Sequence, residues 1–507
     1  MRIKYSWLGI SSVLIYTAIS ILSLQFNWGE GYEDRPILHY LCLFSGAFVL
    51  YVIVVLQIVR NYPEAPNLWM ILLFGLLFRA AIFPANQIQE DDVYRYLWDG
   101  KVFANGINPY KYSPTEISSA KRLKIGDPEK FKTHYNIKEQ EELLRLYQLK
   151  WENDRSVIFM ERINHPAVPT IYPPFTQVIF RIVNQISPDN IYTMRLVFLL
   201  FDLIVLAFVI LILQTLGRNP RFCIIYFWSP LVIKETFNST HLDIVGVGIL
   251  CSSLYFLVHR WRVSAMAFLA LGTMSKFYPA ILLPVYLRES IRNRPKGESK
   301  VTTWLIVGVC LTVFFAICTV FYWPFRDAGI GVFTGLKKFT TFWQSNDSLF
   351  AILVLIYKNI IGLKQSFTLD QEAQLLSYDL PTLLAKLTSA GILFITTFLF
   401  SIRRGLFSSE QTLRHCFVVM ALVFLLSPVQ NPWYLIWIVP FLCVFPVRSW
   451  ILLTGLTGLY YVDFYLDYQG ITEYETFLIF VEYVPFYILL IYDYIKKKRE
   501  LSVVPVR

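Results

Sequence analysis

The chain has 507 residues, of which 55% are hydrophobic and only 16% are charged, and its mean hydropathy is +0.49. A soluble domain usually carries about 25% charged residues, so this composition excludes an ordinary soluble protein. The net charge of +10 is concentrated in short joints between apolar runs, which indicates a membrane protein and not a nucleic-acid-binding one. The seven cysteines contain no CxxC pair and predict neither a disulfide framework nor a metal site.

The apolar runs are about 15–22 residues long, which predicts helices that enter or cross a membrane. The first three spans are predicted at residues 7–25, 37–59 and 68–88. Basic residues flank one side of these spans and acidic residues the other, namely Arg2, Lys4 and Arg60 against Glu30, Glu33 and Asp34. The positive-inside rule therefore predicts a cytoplasmic N-terminus and places the next loop outside.

A long external loop is predicted at residues 89–190, and it begins with Glu90, Asp91 and Asp92. Carboxylates at a membrane edge are costly unless they face a cleft or a partner, so we expect a functional site here. One of them suits a general base, and three leave room for a divalent metal, although no metal or other cofactor is indicated. The non-functional alternative is that the three carboxylates lie in solvent at the start of a helix, where the helix dipole favours acidic residues.

Three further features are predicted within this loop. Residues 92–106 form a helix that ends near Gly106. Residues 138–153, within a polar insert at 115–162, form an amphipathic helix on the membrane surface or on the loop. The four prolines of residues 164–175 favour an extended path back to the membrane.

After a span at 191–216, the apolar runs become too short to cross a membrane comfortably: 222–234, 244–258, 263–275 and 280–287. Their polar turns carry ionisable residues, namely Lys234, Glu235, His241 and Asp243 in one turn and Lys276 in the other. Non-helical backbone at membrane depth is tolerated where it lines a water-filled cavity. A lysine or histidine there suits a phosphate, whereas the alternatives are a snorkelling lysine or an internal ion pair.

The rest of the chain predicts one span at 301–321, a second external loop at 322–380 with a helix at 349–361, and further spans at 381–402, 411–427, 433–447, 450–466 and 476–495. Trp433 and Tyr434 lie at a proline-rich turn, where they either stack on a sugar or form part of an interfacial aromatic belt. The prediction is one all-α polytopic membrane domain, residues 1–507. It has about 12–14 transmembrane or half-spanning helices, and both termini are cytoplasmic.

Five segments carry a resemblance to a known family. They are EDDVYRYLWDGKVFANGINPYKYSP at 90–114, NHPAVPTIYPPFTQ at 164–177, THLD at 240–243, SKFYPAILLP at 275–284 and SPVQNPWYLIWIVP at 427–440. In this order they resemble the polyprenyl-phosphate-sugar-dependent glycosyltransferases of the GT-C superfamily. The nearest group is the bacterial mannosyltransferase-like integral membrane proteins. The resemblance runs from about residue 85 to residue 445.

The resemblance implies an inverting transfer of a hexose, with mannose favoured, from a polyprenyl phosphate to a lipid or glycan acceptor. It maps the catalytic base to Asp91 or Asp92 and leaves that choice open. The donor phosphate is expected at Arg95, Lys276 and His241. We expect the substrate site to be lined by Glu90, Tyr94, Asp99, Tyr172, Asp243, Trp433 and Tyr434. The expected partners are the sugar donor, the acceptor and membrane lipid, but no nucleic acid.

The expected location is a bacterial plasma membrane with the site facing outward, and the endoplasmic reticulum membrane is the alternative. The competing function is a transporter or flippase of a lipid-linked or small anionic solute, which would use the same intramembrane charges. It predicts inverted repeats, and the sequence contains no strict repeat. A polymerase or ligase of surface polysaccharide shares the chemistry of the enzyme and stays open.

Overall fold

A computed structural model describes residues 4–29, 31–60, 66–362, 366–371, 374–471 and 474–502. Of the charges used above for orientation, Arg2 and Glu30 lie outside the described residues.

The first half of the chain forms three groups of helices. The N-terminal group is α1 (Tyr5–Leu22), α2 (Ile37–Arg60) and α3 (Leu68–Ile82). The segment predicted as the first external loop, and called by that name below, contains α4 (Asp92–Ala104), α5 (Pro114–Gly126), α6 (Pro128–His134), α7 (Ile137–Lys150), α8 (Asp154–Glu161) and α9 (Pro174–Ile186). The central group is α10 (Ile191–Thr215), α11 (Ile224–Phe227), α12 (Pro230–Ile233), α13 (Asp243–Val258), α14 (Arg262–Ser275), α15 (Leu283–Arg292) and α16 (Lys300–Tyr322).

The second half begins with the second external loop. This loop contains a 3₁₀ segment (Trp323–Phe333), α17 (Thr334–Phe342), α18 (Leu349–Leu355) and an antiparallel hairpin of β1 (Ser366–Gln371) and β2 (Gln374–Asp379). The last group is α19 (Leu380–Ile402), α20 (Ser409–Leu426), α21 (Val439–Val444), α22 (Arg448–Leu456), α23 (Tyr460–Tyr468) and α24 (Glu475–Ser502). Apart from that hairpin, the regular structure of the described residues is helical, which confirms the predicted all-α class.

Within the described residues, seven helices are long and apolar enough to cross a membrane: α1, α2, α10, α16, α19, α20 and α24. Three shorter apolar helices accompany them, namely α3, α13 and the α18 segment. These helices confirm a polytopic membrane protein with a mixture of full and partial spans.

Two predicted spans are wrong in their extent. The span at 68–88 is helical only to Ile82, and the chain then runs without regular structure to Asp91. The span at 433–447 is a 3₁₀ segment (Pro432–Trp437) followed by the six-residue α21. Pro440 lacks an N–H group and lies in the first turn of α21, where proline is tolerated, so a new helix begins there and the preceding segment does not continue into it.

The predicted joints sort into two ends of the molecule. At one end, Arg218 Nη2 lies 2.9 Å from Glu410 Oε1, and Arg288 Nη2 donates to the Gly405 carbonyl at 2.7 Å. At the other end, Asn108 Nδ2 donates to the Phe325 carbonyl at 3.1 Å and so joins the two external loops. Joints that the charge pattern assigned to the same side therefore contact one another.

The first external loop folds onto itself. The amphipathic helix predicted at 138–153 is α7, and its Leu143, Leu146 and Leu149 are buried within the protein. Helix α9 was not predicted, because the prolines before it indicated an extended path. Pro174 is instead the first residue of α9, a position where proline is favoured, and α9 packs along α4.

Candidate active site

The adjacent carboxylates of Glu90, Asp91 and Asp92 lie in different environments. Asp91 precedes α4 and accepts a 2.9 Å hydrogen bond from Arg162 Nη2, which contributes a salt bridge. Asp92 opens α4, and its Oδ2 accepts from the Tyr172 hydroxyl at 3.3 Å and the Tyr96 hydroxyl at 3.4 Å. The Asp92 side chain is 25% exposed to solvent. Of the two aspartates, Asp92 is therefore the one to which no basic side chain of the described residues donates a hydrogen bond.

His241 faces this helix from the turn between α12 and α13. Its Nδ1 lies 2.9 Å from Glu235 Oε2, which fixes the orientation of the ring. Its Nε2 points toward Asp92 Oδ2 and Glu90 Oε2, at 3.9 Å and 3.8 Å. His241 Nε2 and Glu90 Oε1 are both buried, and neither has a hydrogen-bond partner in the described structure. Two unsatisfied polar atoms at one place are the kind of feature that a bound polar ligand satisfies.

The turn that carries His241 is irregular, as the short apolar runs predicted. Residues Lys234–Asn238 form a π-helical segment, and Thr240 has a positive φ of 60°. Arg195 on α10 holds the turn by donating to the Asn238 carbonyl at 3.0 Å and to Thr240 Oγ1 at 3.1 Å. Asn238 Oδ1 accepts from the Ile88 backbone at 3.1 Å. This bond places the segment that leads to Glu90 directly beside the turn.

Aromatic side chains close the other side of His241. Trp433 stacks on the imidazole with a centroid distance of 4.0 Å and an interplanar angle of 20°. The Tyr461 hydroxyl donates to Glu235 Oε1 at 2.9 Å and also bonds Lys234 Nζ. Sequence reasoning could not connect Tyr461 with the turn, because Tyr461 and Glu235 are 226 positions apart. Arg162, the partner of Asp91, was missed for the same reason.

Lys276 lies at the end of α14 and meets the start of α13. Its Nζ donates to Asp243 Oδ1 at 2.6 Å, and the indole of Trp437 donates to the same oxygen at 2.6 Å. The ammonium sits over the Tyr434 ring, 3.9 Å from its centroid. The two predicted short hairpins therefore meet at an ion pair between their polar turns.

A small, mostly apolar cavity of about 10 Å³, room for about one water molecule, lies beside this pair. Its lining comes from the turn after α14, from α20 and from the proline-rich turn: Tyr278, Met420, Val423, Phe424, Ser427, Val429, Tyr434 and Trp437. The surroundings of the ion pair are therefore largely apolar on this side.

Three predicted site residues lie at the edge of the cluster formed by Asp92, His241 and Lys276. Arg95 Nη2 donates to the carbonyls of Asn164 and His165 at 3.2 Å each, and so anchors the proline-rich segment. Asp99 is 1% exposed and accepts from Gln177 Nε2 at 3.3 Å. The Tyr94 hydroxyl donates to Gln87 Oε1 at 3.2 Å. Their predicted roles, phosphate binding for Arg95 and substrate lining for Asp99 and Tyr94, stay predictions.

Burial changes the acidity of the carboxyl groups on this loop. It raises the pKa of Glu90 well above its usual range, which favours a protonated Glu90. Burial also raises the pKa of Asp91, although the neighbouring Arg162 opposes this shift. The pKa of Asp99 is raised to about 6, again by burial. Among the described residues there is no group of three His, Cys, Asp or Glu side chains that could hold a metal ion.

Comparisons with known proteins add one finding. The family model described as "MptA_B_family: Alpha-(1->6)-mannopyranosyltransferase, N-terminal domain" matches residues 166–290, about a quarter of the chain. The matched residues include Tyr172, His241, Asp243 and Lys276, which form one side of the cluster described above. Comparisons with curated proteins and with solved structures each found no match.

Proposed function

With a GT-C-like membrane mannosyltransferase as the starting point, we propose that this protein transfers mannose from a polyprenyl phosphate to a hydroxyl of a lipid or glycan acceptor. Asp92 is the general base of an inverting reaction. The observation that carries this proposal is the position of Asp92 Oδ2. It lies among the hydroxyls of Tyr96 and Tyr172 and His241 Nε2, while Asp91 is bonded to Arg162.

In the proposed reaction the acceptor hydroxyl gives its proton to Asp92 as its oxygen attacks the anomeric carbon. The bond between that carbon and the phosphate oxygen breaks, and the electron pair leaves with the phosphate. Lys276 offers a positive charge to the departing phosphate, and stabilising a developing charge in this way is usually the largest catalytic effect. Inversion that yields an α-linked mannose, the linkage named in the family description, requires a β-linked donor.

The donor side is supported by the side chains beside Lys276. A polyprenyl chain requires apolar surroundings, and Met420, Val423 and Phe424 on α20 provide apolar side chains near the turn that carries the ammonium. His241 Nε2, which is buried and has no hydrogen-bond partner in the described structure, lies 3.9 Å from Asp92 Oδ2. It is a second candidate for contact with the phosphate or with a sugar hydroxyl.

We place this site on the non-cytoplasmic face of a bacterial plasma membrane. The support is the distribution of charge: Arg262 at the start of α14 contacts Ser290 and Glu298 in the basic joint 288–300, whereas Lys276 at the opposite end of α14 contacts Asp243. In this orientation the acceptor reaches the site from the aqueous side and the donor reaches it from the lipid. An enzyme that builds a cell-envelope glycan requires this arrangement.

The test replaces Asp92 by Asn and Asp91 by Asn in purified protein supplied with β-linked polyprenyl-phosphate mannose. Asp92→Asn is expected to reduce mannose transfer by roughly 10²–10⁴-fold, the usual contribution of a general base. Asp91→Asn is the matched control, because it removes a charge one residue away and is expected to retain most of the activity. Full activity of Asp92→Asn, with an unchanged melting temperature, would contradict the assignment.

A further inference from the structure

Helix α9 lies between the ends of two helices that are long and apolar enough to cross a membrane. A short turn, residues 187–190, connects its last residue, Ile186, to Ile191, the first residue of α10. Near the other end of α9, the Phe175 ring lies 5.4 Å from the ring of Phe321, which is in the last turn of α16. Both ends of α9 are therefore at the same edge of the membrane, and the helix runs along that edge for about 20 Å.

The face of α9 that points away from the protein is apolar. Phe175, Val178, Ile182 and Ile186 recur at the spacing of a single helical face. Ile182 is 45% exposed and Ile186 is 66% exposed. Exposed apolar residues that stand singly are common, but an exposed apolar face marks a surface that contacts protein or membrane.

The opposite face of α9 packs into the protein and includes polar residues. Thr176, Gln177 and Asn184 are buried there, together with Phe180. Gln177 Nε2 donates to Asp99 Oδ2 on α4 at 3.3 Å. A surface helix in water normally turns its polar residues outward. A helix that buries an amide pair and exposes isoleucines is instead suited to an apolar medium on its outer side.

The exposed face of α9 adjoins the lipid-facing surface of α16. Val320 in the last turn of α16 is exposed, and so is Trp323, which directly follows this helix. Tryptophan is enriched where a membrane meets water, and the Arg326 guanidinium lies over the Trp323 ring, 4.6 Å from its centroid. Because α9 and α16 touch at Phe175 and Phe321, their exposed surfaces are continuous. This continuity favours lipid over a protein partner as the medium that covers α9.

Polar residues flank the apolar face of α9 on one side. Gln185 is exposed there, and the Arg181 guanidinium lies 4.8 Å from the centroid of the Phe103 ring. Helices that lie in a membrane interface have this pattern, with apolar side chains toward the acyl chains and polar ones at the level of the headgroups. The pattern favours a position at the edge of the membrane and not at its centre.

We propose that α9 is an interfacial helix whose Val178, Ile182 and Ile186 contact membrane lipid at the edge nearest to Asp92. The occupant of this face is lipid, and a second copy of the chain is the alternative that the experiment separates. The inference does not depend on the transfer reaction. Helix α4 packs on the inner side of α9, so the helix that carries Asp92 is one helix layer away from lipid.

The experiment introduces a photoreactive residue into the full chain, which is reconstituted in phosphatidylcholine vesicles and irradiated. Ile182→p-benzoylphenylalanine and Ile186→p-benzoylphenylalanine are expected to give lipid adducts, identified by mass spectrometry. The control is Ile137→p-benzoylphenylalanine on α7, because Ile137 is 77% exposed but lies on the polar insert. Its yield of lipid adduct is expected to be at least tenfold lower. Equal yields, or cross-links between two chains in place of lipid adducts, overturn the proposal.

A second measurement compares the stability of two variants in the same vesicles. Ile186→Gln places an amide in lipid and is expected to lower the melting temperature by several degrees. Ile137→Gln is the matched control and is expected to leave the melting temperature unchanged. Glutamine has at least the helix propensity of isoleucine, so neither change weakens a helix that lies in water. An unchanged melting temperature of Ile186→Gln would contradict a lipid-facing α9.

Discussion

Asp91 and Asp92 are neighbours in the sequence but differ in what their side chains touch. Asp91 is neutralised by Arg162, whereas Asp92 contacts two tyrosine hydroxyls and faces His241. The difference arises because the last residue before a helix and its first residue point their side chains in different directions. The family resemblance mapped the expected base to one of these two residues, and the contact of Arg162 with Asp91 is the basis for proposing Asp92.

Lys276 is the residue whose replacement tests the donor side. Lys276→Met keeps the apolar stem, removes the ammonium and is expected to lower kcat by about 10²–10³-fold, the usual loss for a group that stabilises developing charge. It also leaves Asp243, which is 1% exposed, without its cation. The double variant Lys276→Met with Asp243→Asn removes that unpaired charge. Recovery of transfer in the double variant would reduce Lys276 to a structural role.

Asp99 gives a prediction about pH. Burial raises its pKa to about 6 from 3.8, so the folded state binds this proton more tightly than the unfolded state. Its contribution to stability is therefore complete below about pH 4 and is lost as the pH rises through 6, by roughly 3 kcal/mol in all. Asp99→Asn removes this loss, so its melting temperature should rise relative to the unaltered protein between pH 4.5 and pH 7.

The control for this comparison is Glu129→Gln, because the Glu129 side chain is 80% exposed. Its melting temperature relative to the unaltered protein should not change across the same pH range. A constant difference between Asp99→Asn and the unaltered protein at every pH would contradict a shifted pKa for Asp99.

At the scale of the element, the packing of α4 on α9 fixes the position of Asp92. Gly100 lies where the two helices are closest, and a Cβ atom there would lie 2.3 Å from the Phe180 carbonyl oxygen. The Tyr96 ring stacks on the Phe180 ring in the same contact, with centroids 4.8 Å apart. Helix α4 therefore carries Asp92, the proposed base, at its start and is held in place by a close contact two turns later.

Gly100→Ala is expected to separate α4 from α9 and to destabilise the protein by about 1–3 kcal/mol, as overpacking usually does. Mannose transfer should fall as well, because Asp92 moves with the helix. Gly126→Ala is the control: it ends α5, and its added Cβ would meet nothing within 4 Å. The melting temperatures of both variants provide the measurement. An unchanged Gly100→Ala would mean that α4 is not held by this contact.

The interrupted helices around His241 show why short apolar runs help to predict site residues. The run before His241 divides into α11, α12 and a π segment, and the run after it is the 16-residue α13. A run that is too short for a span leaves its polar turn inside the protein, where ionisable groups need partners. That reasoning selected Lys276, His241 and Asp243. The same reasoning failed for residues 433–447. Their apolar composition predicted a span, although the segment contains two prolines, Pro440 and Pro446.

At the scale of the whole molecule, orientation in the membrane can be tested with a pair of exposed positions. Ile137 on α7 is 77% exposed, and Leu406 in the joint after α19 is 76% exposed. In spheroplasts, a membrane-impermeant maleimide is expected to label Ile137→Cys directly and Leu406→Cys only after permeabilisation. The unaltered protein gives the background from its seven cysteines. The reverse pattern would place the Asp92 cluster on the cytoplasmic face.

The sequence by itself determined the all-α membrane class, most helix bounds and the residues at which chemistry is expected. These features depend on local composition: the length of an apolar run, the position of a charge and the residues at a turn. Only the tertiary structure decided which of these residues meet. It joined Glu235 to Tyr461 across 226 positions and paired Arg162 with Asp91 rather than with Asp92. Contacts between distant segments depend on how helices pack, and the periodicity of any one helix does not specify its partners.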